Sequence, residues 1–227
     1  MTGRIHSEPD QLQTVSVGGV ALTLLPQRAL LWRERQLLIV ADIHFGKAAA
    51  FRSGGIPVPH GTTSANLEEL DSLLEQCAIT HIVFLGDFLH ARTARAAATL
   101  SALRRWRDRH PELQLTLVRG NHDHHAGDPP EDLRIDVVDE PLMMDGLALC
   151  HHPQLIEGAY VLAGHIHPVI RLRSGRDALR LPCFLFGERM ATLPAFGAFT
   201  GGYAIEPEAE ADIFICTDDR VFRYPRG

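Results

Sequence analysis

Three apolar runs, LLIVAD at 37–42, HIVFLGD at 81–87 and LTLVRGN at 115–121, each stop at an Asp or Asn. Runs without polar alternation suit strands buried on both faces, as in the parallel sheet of an α/β protein. Between the first and second, Ser64–Gln76 carries leucines at 67, 70, 73 and 74, the spacing of an amphipathic helix with Ser64 as its cap. Between the second and third, Thr93–Arg109 has a second helical pattern, stopped by Pro111. The first half therefore reads β-α-β-α-β. Ahead of it, Thr14–Leu38 alternates short apolar runs with turn signals at Gly18-Gly19 and Arg33–Arg35, a hairpin-rich antiparallel start. Behind it, short candidate strands at 134–138, 147–150, 160–163, 179–185 and 212–216 predict a second, mainly antiparallel sheet. The expectation is an α/β sandwich of two mixed β-sheets flanked by helices, one domain over 14–227 behind a leader at 1–13.

With 227 residues and 45% apolar content the chain can bury a sizeable core. No run approaches the roughly twenty apolar residues of a membrane span, and MTGRIHSEPDQLQ lacks a signal-peptide core, so a soluble cytoplasmic protein with no membrane partner is expected. Cys77, Cys150, Cys183 and Cys216 form no C-x-x-C pair, which argues against a zinc knuckle and points to reduced, mostly buried thiols. A net charge of −6 excludes nucleic-acid binding through overall charge, so any phosphate binding must be local. The 22 basic residues include a single lysine, Lys47, close behind the first strand.

Asp, Asn and His gather where the apolar runs end: VADIH, LGDFLH, RGNHD, LCHH and AGHIH. In open α/β sheets the carboxyl ends of the strands form the ligand edge, so these segments should converge on one site. One histidine after a strand is ordinarily a hydrogen-bonded loop residue; five such ends in series are another matter. Two divalent ions clamping a phosphate need oxygen and nitrogen ligands, a carboxylate able to bridge, and open positions. Asp42, His44, Asp87, Asn121, His151, His165 and His167 supply that inventory. Asp42 and His44, and likewise His165 and His167, stand two apart, which on an extended backbone directs both side chains to one side. Gly86, Gly120 and Gly164 precede ligands and free the backbone to turn. Lys47, Arg52 and Arg119 are candidate phosphate contacts at the same mouth.

In its full order, D-x-H, G-D-x-x-(D/H), G-N-H-D, H and G-H-x-H, the string over 42–167 resembles the calcineurin-like metallophosphoesterases. The resemblance implies a four-layer sandwich with two divalent ions, manganese by preference, with iron, zinc or nickel open. The first ion would be held by Asp42, His44, Asp87 and His167, and the second by Asp87, Asn121, His151 and His165, with Asp87 bridging; His152 stands as the alternative to His151. In GNHDHH the ligand would be Asn121, with His122 as the catalytic acid and Asp123 fixing the loop by hydrogen bonds; His124 and His125 have no place in the pattern. ADIHFGKAAAFRSGGIPVPHGTT (41–63) and LPCFLFGERMATLPAFGAFTGG (181–202) are similar to a finer branch, the ligase-associated DNA-damage-response endonucleases or phosphodiesterases. That branch implies DNA as substrate, and an ATP-dependent DNA ligase, a helicase and a nuclease of metallo-β-lactamase fold as partners.

Many members of the superfamily have Asp where GDFLH has His90, and that Asp orients and charges the catalytic histidine. His90 is therefore expected beside His122, outside both metal shells, in a pair without a fixed carboxylate. Two other function classes stand beside the DNA phosphodiesterase: a phosphodiesterase for a small nucleotide, and a non-catalytic partner in a repair complex. The complete ligand set with His122 argues against the last.

Overall fold

The computed structural model describes residues 12–56, 58, 61–174, 177–197, 200–206 and 210–225. Most of the expected leader lies outside them, although the Gln13 carbonyl already accepts the Leu24 N–H. The chain opens with strands β1 (Thr14–Val17), β2 (Val20–Leu25), β3 (Ala29–Trp32) and β4 (Leu37–Ala41). There follow helices α1 (Lys47–Ser53) and α2 (Thr62–Gln76), strand β5 (His81–Leu85), helix α3 (Ala97–Arg109), strand β6 (Gln114–Val118), helix α4 (Asn121–Ala126) and strand β7 (Asp136–Val138). These strands form one seven-stranded sheet in chain order, antiparallel from β1 to β4 and parallel from β4 to β7.

The second sheet holds β8 (Leu142–Met144), β9 (Leu147–Cys150), β10 (Tyr160–Ala163), β11 (Pro168–Ser174), β12 (Asp177–Phe186), β13 (Met190–Thr192), β14 (Tyr203–Ala204), β15 (Asp212–Cys216) and β16 (Val221–Arg223). It is more mixed than expected, because β9, β10 and β13 run parallel. The sequence also misplaces β7: the 134–138 segment closes the first sheet beside β6.

Two apolar layers explain the stacking. Leu24, Trp32, Leu37, Ile39, Val83 and Leu85 meet Leu149, Leu162, Phe184 and Phe214 between the sheets. On the other face of the first sheet, Leu38, Val40, Ile82, Phe84 and Leu115 pack against Leu67, Leu70 and Leu73 of α2 and Leu103 and Trp106 of α3. Each fully buried Leu or Phe contributes roughly 1.5–3 kcal/mol, so the two layers hold the carboxyl ends of β4, β5, β6, β9 and β10 as one rigid edge. No described helix covers the outer face of the second sheet.

Local starts differ from expectation. Helix α2 begins at Thr62 behind Gly61, whose φ of 90° is open to glycine, and Ser64 lies inside it. The stretch read as one helix from Thr93 is a 3₁₀ turn, Arg92–Arg95, broken from α3 at Ala96 (φ −53°, ψ 142°). GNHDHH, taken as a loop, folds into α4.

Candidate active site

At the carboxyl edge of the strands the expected residues do meet. Asp42 follows β4, Asp87 follows β5, Asn121 opens α4 after β6, His151 follows β9, and His165 and His167 follow β10. Asp42, His44 and His167 form one group whose ligand atoms lie within 4.8 Å of one another; Asp42, Asp87 and His151 form a second, sharing Asp42, and His151, His152 and His165 a third.

How they converge is not as the spacing suggested. Asp42, His44, Asp87, His165 and His167 all have positive φ, between 49° and 70°. The strands stop in left-handed kinks, a strained state for residues with a Cβ, and the kinks rather than an extended backbone bring the side chains to one place. The glycines matter for a different reason at two of three positions. Gly86 does have a positive φ, whereas Gly120 and Gly164 are needed for space: a Cβ on them would lie 2.4 Å from Asp87 Oδ1 and 2.6 Å from Asp42 Oδ2.

Hydrogen bonds set the tautomers and leave lone pairs facing inward. His151 Nδ1 reaches the Leu85 carbonyl at 3.0 Å, so Nδ1 donates and Nε2 bears a lone pair. That Nε2 faces Asn121 Oδ1 at 2.9 Å, His165 Nδ1 at 3.1 Å and Asp87 Oδ1 at 3.5 Å. His167 Nδ1 likewise donates to the Gly201 carbonyl at 3.1 Å, which turns Nε2 toward Asp42 Oδ1 at 3.2 Å. Asp42 Oδ1, both ring nitrogens of His44, and His167 Nε2 are buried without a hydrogen-bond partner. The other carboxylate oxygens are held in place: Asp42 Oδ2 accepts the His165 N–H at 2.8 Å and Asp87 Oδ1 the His122 N–H at 3.0 Å.

The electrostatics have the same sense. Burial, then Lys47, pushes the His44 imidazole far below its ordinary pKa, and burial lowers His151 and His165 as well. Burial and the neighbouring Asp42 raise Asp87. At His167 burial lowers the pKa but Asp42 more than offsets it, so positive charge is drawn to that position. The neutral imidazoles of His44, His151 and His165 around two buried carboxylates make a cavity for cations, and orphaned donor atoms of this kind fit divalent metal ions.

A model of the calcineurin-like phosphoesterase superfamily domain matches residues 36–179. The chain belongs to that superfamily. It is a metal-dependent hydrolase of phosphodiesters. Among solved structures, this phosphoesterase is similar to the Pseudomonas putida nuclease MPE, at 46% identity over 93% of this chain and 100% of that one, with a TM-score of 0.84. The E. coli phosphoesterase Yfce is far more distant, at 17% identity over 82% of this chain and 90% of that one, with a TM-score of 0.38. No curated protein sequence matches.

Other expected residues divide. His122 stands at the rim, Nε2 3.9 Å from Asp87 Oδ2. Its Nδ1 donates to the backbone carbonyl of His90 at 2.6 Å, so the backbone and not the His90 side chain takes the orienting part expected of GDFLH. The His90 ring stacks on His122 with centroids 4.9 Å apart and an interplanar angle of 22°; burial, Lys47 and His122 lower its pKa to about 4, leaving it neutral. Asp123 fixes its loop as expected, accepting Phe88 N–H and Leu89 N–H on Oδ1 and Gly120 N–H on Oδ2. Lys47 is half-buried, and burial lowers its pKa although Asp42 and Asp87 pull it up. Arg52 lies in the last turn of α1, half-buried. The Arg119 guanidinium is held by Asp128 at 2.8 and 2.9 Å and by Asp139 at 2.6 Å.

One residue was missed. Glu140 accepts the His151 and His152 N–H groups on Oε2 and faces His152 Nδ1 at 2.7 Å through Oε1, so it clamps the segment that presents His151. It directs the half-exposed His152 to a carboxylate and leaves His151 in the cluster. Glu140 stands two residues after β7; placing that strand in the first sheet would have marked it by the same strand-end rule.

Proposed function

We propose that the chain is a two-metal phosphodiesterase acting on DNA. The carrying observation is the set of buried, unpartnered donors, Asp42 Oδ1, His44 and His167, beside the inward-facing lone pair of His151. Asp42, His44, Asp87 and His167 would hold one ion, and Asp87, Asn121, His151 and His165 the other, with Asp87 between; manganese is the metal proposed. When bound, such ions supply an activated water at neutral pH and neutralise charge on the phosphoryl oxygens. The side chains do the rest. Lys47, at the start of α1, adds a cation whose charge interacts with both Asp42 and Asp87. His122, oriented by the His90 carbonyl, presents Nε2 to the same centre and delivers a proton to the departing oxygen. The nuclease similar over the whole of its own length supports a polynucleotide substrate.

The test pairs metal content with turnover. Asp87→Asn should lose bound manganese by elemental analysis and lose hydrolysis of a chromogenic diester, a cyclic nucleotide, and single-stranded and duplex DNA alike, because an amide cannot offset repulsion between two cations. Wild-type turnover by Asp87→Asn would sink the two-metal reading. Hydrolysis of the cyclic nucleotide in preference to DNA by the native protein would sink the DNA reading alone.

A further inference from the structure

Strand β12 is longer than its neighbours. Leu185 and Phe186 pair with β13, whose partner β10 ends at Ala163 beside the site, but residues 177–182 run on past that edge and pair with β11 instead. From Leu185 to Arg180 the strand advances about 17 Å at roughly 3.3 Å per residue, so β11 and β12 form a two-stranded ribbon rising from the catalytic edge. Its first residue, Pro168, directly follows His167.

The two faces of the ribbon differ. Ile170 and Leu172 of β11 and Leu181 and Cys183 of β12 belong to the apolar cluster on the outer face of the second sheet. Alternation therefore puts Arg171 and Arg180 on the opposite face, continuous with Phe184 and Phe186 and turned toward the first sheet. They are register partners across the ribbon, both exposed. Arg180 donates one N–H to the Gly202 carbonyl, in the same short segment whose Gly201 carbonyl holds His167 and whose Tyr203 N–H bonds the His167 carbonyl. So the Arg180 guanidinium is tied to the segment that holds His167, and the arginine pair lies along the ribbon that leads away from the site. Tyr203 lies beside Pro168 at the base of the ribbon, 70% exposed.

Among the described residues no carboxylate pairs with Arg171 or Arg180, whereas Arg35, Arg104, Arg109, Arg119 and Arg223 all have one. In a chain with net charge −6, two adjacent arginines with no carboxylate partner among the described residues, on a strand pair that overhangs a phosphodiester site, form a local anion track. We infer that the β11–β12 ribbon is the nucleic-acid track of this enzyme: Arg171 and Arg180 grip backbone phosphates flanking the scissile one, and the Tyr203 ring gives a neighbouring base a face to stack on. This rests on the DNA reading above and narrows it, since a small nucleotide is too short to reach from the metal cluster along the ribbon.

The experiment measures kcat/KM for the manganese-loaded protein and for Arg171→Ala/Arg180→Ala on a 20-nucleotide single strand, on its duplex and on bis(p-nitrophenyl) phosphate, over a range of salt. The track predicts that DNA hydrolysis falls about ten- to a hundredfold further than diester hydrolysis, and that the log–log salt slope flattens by about 1.4–1.8, two phosphate contacts at 0.7–0.9 each. Tyr203→Ala should cost the single strand about tenfold and the duplex less. Equal losses on DNA and the small diester would show that Arg180 acts only by propping Gly202 and His167, and would overturn the track. So would DNA kinetics and a salt slope like wild type in the double variant. If the native protein hydrolyses the diester but neither DNA, the DNA reading itself fails, an outcome distinct from both.

Discussion

Replacing Gly120 by alanine isolates the placement of the Asp87 carboxylate from its charge. The Gly120 backbone, at φ −100° and ψ 175°, suits alanine, so no conformational strain is introduced. The new Cβ would stand 2.4 Å from Asp87 Oδ1 and 2.6 Å from the Asp87 nitrogen. An ordinary carbon–oxygen contact is about 3.3 Å or more, so the two must part by roughly an ångström. Neither side yields easily: Gly120 N–H is tied to Asp123 at 2.9 Å, and Asp87 Oδ1 accepts His122 N–H at 3.0 Å. Overpacking of this kind costs about 1–3 kcal/mol, which in a protein of this size lowers Tm by about 2–12 °C. Misplacing a reacting constellation by an ångström costs on the order of a hundredfold. We expect Gly120→Ala to be folded at 25 °C and to lose about a hundredfold in kcat/KM on a chromogenic diester at saturating manganese, with weaker manganese binding by titration. A thermal melt run beside the kinetics separates this from unfolding. Wild-type kcat/KM in folded Gly120→Ala would refute the claim that the Asp87 position at this edge governs turnover.

His124→Ala and His125→Ala should keep wild-type metal content and diester hydrolysis, since both side chains are exposed on α4, and loss of metal by elemental analysis in either would contradict the ligand set. Arg119→Ala should leave hydrolysis intact and lower stability by at most about 1 kcal/mol in urea unfolding, as its partners are surface carboxylates; a large rise in KM would restore it as a phosphate contact. His122→Ala should lose about a hundred- to ten-thousandfold on DNA and much less on a nitrophenyl diester, whose leaving group needs no proton. His90→Ala keeps the carbonyl that orients His122 and should lose less on DNA than His122→Ala does; equal losses would mean that the stacked ring, and not the carbonyl, holds the acid.

The sequence made local statements well and non-local ones poorly, and the division is physical. LLIVAD, HIVFLGD and LTLVRGN announce buried parallel strands because their burial on both faces is written into consecutive residues. The polar residues gathered at their ends were legible for the same reason. Strand β7 was legible as a strand, but its sheet was not: DVV is too short to carry a pattern, and only its pairing with β6 decides where it goes. Arg119 shows the same limit. Its position beside Asn121 suggested a phosphate contact but gave no sign of its ion pairs with Asp128 and Asp139, which stand 9 and 20 residues away. Arg171 and Arg180 were passed over because nothing in RLRSGRDALR says that β12 outruns β13.

The left-handed kinks lie between these extremes. Nothing in D-I-H or H-I-H signals positive φ, since an extended backbone would also put residues two apart on one side. Each left-handed residue with a Cβ costs roughly 1–2 kcal/mol, so five of them approach the net stability of an ordinary domain, about 5–15 kcal/mol. Such a backbone persists only where its surroundings over-determine it. Here the strands that end in the kinks are clamped between two apolar layers, and Asp42 and Asp87 lock the next segments by accepting the N–H groups of His165 and His122. The strain is thus carried by strands that sequence periodicity does reveal. It gathers three imidazoles around two carboxylates that stand closer together than their mutual repulsion favours, an arrangement that a pair of cations relieves.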